Sequence, residues 1–325
     1  MKKIIWIPLV ILIIGICIAL AGFANGGMKS LWFDRAGFHV ENGSQGNLVT
    51  VDETYTSFNN IEINAGYIKS IVFKEGDDFA VRGQNYERYG GLDVNQNGDT
   101  IIINTRTNEN WHINMGIGET FNDENNSWLE VTYPAGTKLG VIKTNLSAGI
   151  VNINKINCTD LNIDNDFGDV ELDNIRTVDL HAELSSGRLK ITNVFADTVS
   201  LDNDFGKIEV NGMEVKRLKT DLNAGDFDAN DISADDLTVE SDFGKVEMNK
   251  LTFTGKCEVK NNSGDIRLNI LLNRDAVSYE LDADVGSITI DGQKSTGSVS
   301  NRPAEGTAFL DAETDFGAIS VNFLG

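Results

Sequence analysis

Gly149, Gly168, Gly187, Gly206, Gly225 and Gly244 follow one another at intervals of 19 residues, and Gly264, Gly286 and Gly317 extend the series with small insertions. A period this short is the signature of one supersecondary unit repeated along the chain and stacked on itself. The phrase around the glycine recurs as well. Asn165-Asp166-Phe167-Gly168 returns as Asn203-Asp204-Phe205-Gly206, Ser241-Asp242-Phe243-Gly244 and Thr314-Asp315-Phe316-Gly317, with Ala148-Gly149, Ser186-Gly187, Ala224-Gly225 and Ser263-Gly264 between. Seven residues before each glycine stands an apolar residue (Ile142, Leu161, Leu180, Val199, Leu218, Leu237, Cys257, Tyr279, Leu310). Two after it come Val151, Val170, Leu189, Ile208, Phe227, Val246, Ile266, Ile288 and Ile319. A third column, four after, runs from Ile153 and Leu172 to Ile290 and Val321. Side chains alternate across a strand, so these columns face inward. The pattern predicts an all-β, right-handed β-solenoid (β-helix) of about 19 residues per coil, two strands to a coil, stacked in chain order.

Three residues before the glycine, Asn165, Asn203, Ser241 and Thr314 in the Phe-Gly coils alternate with Leu146, Leu184 and Leu222 in the others. Constant core volume would have the phenylalanine and the leucine exchange bulk on successive coils. The glycine is expected to mark a bend where a Cβ would clash. Outward columns alternate in charge, Glu171-Lys190-Glu209 on one level and Lys207-Asp226-Lys245 on another, as cross-strand pairs would. On this register Leu218→Asp buries an unpaired charge and unfolds the domain, whereas Lys207→Glu costs little.

Ahead of the repeat the chain divides into residues 1–27, 28–47 and 48–140, leaving 141–325 as the regular solenoid. Residues 4–24 carry no charge and are long enough for a transmembrane helix. Ala19-Leu20-Ala21 also fits a signal-peptide cleavage site, and a retained anchor is the favoured reading. Lys2 and Lys3 favour a cytoplasmic start, which places the C-terminal domain outside a single-pass cell membrane. Residues 28–47 read as a linker, and 48–140 as an irregular β cap with the first coils, covering an edge that would otherwise aggregate. Gln293 to Thr307 interrupts the last repeats and could shield the opposite edge.

Acidic residues outnumber basic ones by 49 to 27, which argues against nucleic acid as a partner. Asp-Phe-Gly occurs four times without a phosphate loop or catalytic loop, so it is no kinase signature. His39, His112 and His181 lack partners at metal-ligand spacing, and Cys17, Cys158 and Cys257 form no disulfide framework. Catalytic residues and cofactors are therefore not expected. Asp166, Asp204 and Asp242, two before their glycines, are a weak Ca²⁺ alternative to ordinary turn chemistry. Trp111, His112, Phe121 and Trp128 offer the best place for specific contact, stacking on sugars or anchoring a protein, or else packing the cap.

The apolar leader, the Phe58–Phe73 entry, the Trp128–Gly136 strand ending in Tyr-Pro and the Phe-Gly or Ser-Gly coils together resemble the bacterial putative adhesin family, β-strand-repeat proteins of unknown function. Gly27 to Asp34 and Gly37-Phe38-His39 look like membrane-anchored members of Gram-positive type. The resemblance implies a non-catalytic surface module meeting a cell-wall polymer, a host surface or an envelope protein. An accessory or sensory ectodomain in envelope stress signalling is the alternative, and a polysaccharide-active enzyme a weaker one.

Overall fold

The computed structural model describes residues 31–34, 37–40, 47–105, 113–115, 126–301 and 308–325. Nearly all of it is strand, in one 16-stranded sheet system and one small three-stranded sheet. Among the described residues no helix is long and apolar enough to cross a membrane; the predicted span, residues 4–24, lies outside them.

The regular coils pair parallel and in register. Val141–Asn154 lies on Asp160–Phe167 and Val170–Arg176, with Ile142 opposite Leu161 and Val151 opposite Val170. The same offsets carry through Asp179–Phe243 to Val246–Phe253 and Lys256–Ser263. All three apolar columns are buried. Each coil has three strand runs, one more than predicted. After the second run a residue takes the left-handed conformation (Lys155, Asn174, Asn193, Gly212, Asp231 or Lys250) and turns the chain into a short third run. That run buries Ile156, Ile175, Val194, Met213, Ile232 and Leu251, a fourth column.

The glycine column is a stack of backbones. A Cβ on Gly168 would overlap the carbonyl oxygen of Gly149, one on Gly187 that of Gly168, and so on through Gly206, Gly225, Gly244 and Gly264. Most of these residues also hold φ between 133° and 159°, open to glycine alone at little cost. Asn165 and Asn203, fully buried, donate Nδ2–H to the carbonyls of Gly149 and Gly187, and Asn261 does so to Gly244. The expected exchange of bulk does not occur. Leu146, Leu184 and Leu222 are in the core, but Phe167, Phe205, Phe243 and Phe316 stand outside it, each about 61–62% exposed. Asn165, Asn203 and Thr314, three before their glycines, donate to a carbonyl of the neighbouring coil, which an apolar residue could not, while the Ser241 hydroxyl makes no such bond.

At both ends spatial order departs from chain order, correcting the simple succession of Gly264, Gly286 and Gly317. The last strand, Ala308–Phe323, inserts between Lys256–Ile270 and Val277–Ile290. Columns are kept, with Cys257 against Leu310 and Leu310 against Tyr279, so the swap costs no burial. Gln293–Asn301 then folds back antiparallel on Val277–Ile290 and covers the terminal edge. At the other end Asn60–Gly76 pairs with Val141–Asn154 on one side and with Thr100–Asn104 and Trp128–Pro134 on the other. Antiparallel Asp93–Asn97, Phe79–Tyr86 and Leu48–Tyr55 close that edge. Within the stretch read as a linker, Leu31–Asp34 and Gly37–Val40 form a hairpin that pairs with Ile113–Met115.

Candidate functional site

Of the four residues singled out for contact, Trp111, His112 and Phe121 lie outside the described residues. Trp128 opens the strand Trp128–Pro134, between Ser70 and Gln84, and is 38% exposed. Beneath it Ser127 donates to the buried Asn85, whose own Nδ2 reaches the carbonyls of Tyr67 and Gly91. The residue before Trp128 is thus tied by hydrogen bonds to a buried asparagine of the neighbouring strand.

Asp166, Asp204 and Asp242 are not brought together. They occupy alternate coils, and Ser185, Asn223 and Asn262 intervene and donate back to them. Among the described residues no group of three or more His, Cys, Asp or Glu could hold a metal. Cys158 and Cys257 are buried free thiols, and burial pushes the Cys158 thiol up to about 11, away from reactivity.

The charged columns pair diagonally more than the sequence suggested. Lys190 does meet Glu171 and Arg188 meets Asp169. Lys207 instead spans Glu209 and Asp228, each at 2.7 Å, and Lys245 spans Asp228 at 3.4 Å and Glu247 at 2.9 Å. Asp226, predicted between the two lysines, accepts the backbone N–H of Lys245. Burial pushes the Asp228 carboxyl up, but its hydrogen bond to Lys207 and the nearby lysine charges outweigh this and hold it below the usual range. Hydrogen bonds from Lys245 and Asn249 lower Glu247, and those from Lys256 and Lys260 lower Glu258. A depressed carboxylate contributes stability above its unfolded value near ~4 and loses it as pH falls through its folded value. Urea midpoints should therefore drop from pH 5 to pH 3, and Lys245→Met should show a shallower drop than the parent. Equal slopes in the two proteins would exclude the network as the cause.

Two surface features remain. One is a shallow hollow of about 390 Å³ by the third strand run, where the Arg176 guanidinium lies 4.8 Å from the Phe195 ring centre beside the Asp197–Lys216 ion pair. The other is a ridge of the residues just before each glycine. In spatial order it reads Ala148, Phe167, Ser186, Phe205, Ala224, Phe243, Ser263, Phe316 and Val285. Aromatic and small side chains alternate along it as far as Phe316, so each exposed ring but that last one, which adjoins the exposed Val285, is followed by a notch. Sequence reasoning quoted every one of these phenylalanines yet placed them in the core. The available signal was parity: four residues separate the inward position before the glycine from the one after, so strict alternation must break between them.

A family model described as Toastrack DUF4097 matches residues 58–322. No curated protein matches the chain. Among solved structures, a putative adhesin from Parabacteroides distasonis ATCC 8503 is 12% identical, over 86% of this chain and 98% of that one, with a TM-score of 0.45. A putative adhesin from Parabacteroides merdae ATCC 43184 is 9% identical over 87% and 98%, TM-score 0.40. A putative lipid binding protein from Parabacteroides distasonis ATCC 8503 is 15% identical over 87% and 98%, TM-score 0.38.

Proposed function

Because the chain belongs to the Toastrack DUF4097 family, we propose that it is a non-catalytic adhesive module held at a cell surface by residues 4–24. Its parallel crossovers are taken as right-handed, the hand such connections adopt. Residues 48–140 serve as the cap that starts the rod, and 141–325 as the rod itself. The observation that supports adhesion is where the apolar surface lies. Arg188, Lys190, Lys207 and Lys245 on the coil faces are engaged by acids of their own or neighbouring coils, while four phenylalanines stand exposed in a single line. Lines of exposed apolar surface on a soluble scaffold mark interaction sites. The titratable groups that do meet, such as Lys207, Asp228 and Lys245, are spent on ion pairs that link successive coils.

The test is display and attachment. The tagged full chain, made in a Gram-positive host, should be degraded by protease added to intact cells and should increase their adherence to one another or to a wall-coated surface. A chain protected from protease until lysis would defeat the surface reading; accessible protein without any gain in adherence would defeat the adhesive one.

A further inference from the structure

The ridge carries its own complement. A second copy turned about a twofold axis parallel to the strands and perpendicular to the rod presents the same columns in reverse order, and such isologous contacts match a surface with itself. With the axis between the coils of Ala224 and Phe243, Phe243 faces Ala224 of the second copy, Phe205 faces Ser263 and Phe316 faces Ser186. Every one of those phenylalanines then meets a notch. The neighbouring columns also agree. One residue after the glycines, Lys207 faces Asp265 and Lys245 faces Asp226; two before, Asp204 faces Asn262, Asp242 faces Asn223 and Asp315 faces Ser185. Lys207 and Lys245 keep 38% and 33% of their side chains exposed beyond their own ion pairs, enough to share. Phe167 against Val285, and Asp166 against Asp284, at the far ends, are the unmatched positions.

Other settings fit less well. Moving the axis one coil back toward the start of the rod sets Arg188 against Lys245 and Asp169 against Asp265. Moving it two coils back sets Arg188 against Lys207 and Asp169 against Asp226. Moving it one coil the other way avoids like charges after the glycines, but sets Asp204 against Asp284 and shortens the overlap from eight coils to six. A parallel pairing in register places phenylalanine on phenylalanine at all four aromatic levels and small residue on small residue between them. We propose that this ridge is a homophilic docking surface for a second, antiparallel copy of the chain. The inference rests on the adhesive reading and sharpens it. Antiparallel rods carry their N-terminal ends at opposite ends of the pair, as copies anchored on two facing surfaces would. Eight coils at about 4.8 Å make a contact roughly 40 Å long and three residues wide, on the order of 1,000 Å² in total. That is the low end for a specific interface: weak between single molecules, and strong where many copies face one another.

Cross-linking reads the register directly. In the full chain with Cys17→Ser, solubilised in mild detergent, Phe205→Cys/Ser263→Cys should oxidise to a covalent dimer at least tenfold more than Ala148→Cys/Phe205→Cys, whose thiols come no nearer than three coils across the pair. Each pair is three coils apart within one chain, too far to close on itself. Phe205→Asp/Phe243→Asp should abolish dimer in sedimentation at hundreds of micromolar without lowering the unfolding midpoint. Equal cross-linking by the two cysteine pairs, or a parent chain that sediments as a monomer throughout, would overturn the proposal. So would a monomeric chain whose ridge variant loses binding to purified wall glycan, which would make the ridge a sugar platform instead. Dimer in detergent together with protease protection on intact cells would refute surface display and leave the docking surface standing.

Discussion

Gly206→Ala should unfold the rod or lower its stability by about 3–5 kcal/mol, the sum of forced overpacking and a side chain at φ 147°. The added methyl would overlap the carbonyl oxygen of Gly187, and backbone cannot move aside as a flexible side chain can. Nor can the coil tilt locally, because Gly206 supplies the carbonyl that Gly225 in turn rests on. Gly66→Ala is the matched control. Its Cβ would meet nothing within 4 Å and its φ is ordinary, so the change should be neutral or stabilise by about 0.4–1 kcal/mol through the unfolded chain. Guanidinium denaturation of both variants checks the pair, and equal midpoints would mean that the glycines do not stack.

Leu218→Asp should be as damaging. The side chain is 2% exposed in the inward column between Val199 and Leu237, with no cation to receive a carboxylate. A single buried, unpaired charge exceeds the ~4–5 kcal/mol that marks the severe end of point mutations. Far-ultraviolet circular dichroism should show loss of strand signal at room temperature; a cooperative transition near that of the parent would contradict the register. Lys207→Glu, the surface comparison, is not as mild as its position in the sequence suggests. Glu209 and Asp228 both hold Lys207, so reversal leaves three carboxylates together, at a cost on the order of 1 kcal/mol. Lys216→Glu, which meets only Asp197, is the gentler control.

The core was legible because burial in a solenoid is strictly periodic. Every residue assigned to the columns seven before, two after and four after the glycine is inside, from Ile142 to Val321. The third strand run was not, because its column of Ile156, Ile175 and Val194 follows a left-handed corner that has no shared residue: lysine, asparagine, aspartate and glycine all occupy it. The swapped order of the last coils left no trace either, since Leu310 and Tyr279 fit the same column whichever lies outside. The phenylalanine ridge was misplaced by a volume argument that ignored the backbone of the neighbouring coil, whose carbonyls need Asn165 and Asn203 where a leucine might have packed. Side-chain periodicity reports what faces the interior; it is silent on which part of the exterior is left uncovered.

The late insertion of Ala308–Phe323 has a consequence for how such a rod is made. A simple stack can be finished coil by coil as it leaves the ribosome or the export channel, and can fray in the same sequence from its free tip. Here Ala308–Phe323 is a middle plank, synthesised after Val277–Ile290, the plank beyond it, and seated between that and Lys256–Ser263. These coils therefore close out of chain order, and neither outer plank can settle until the one between them has arrived.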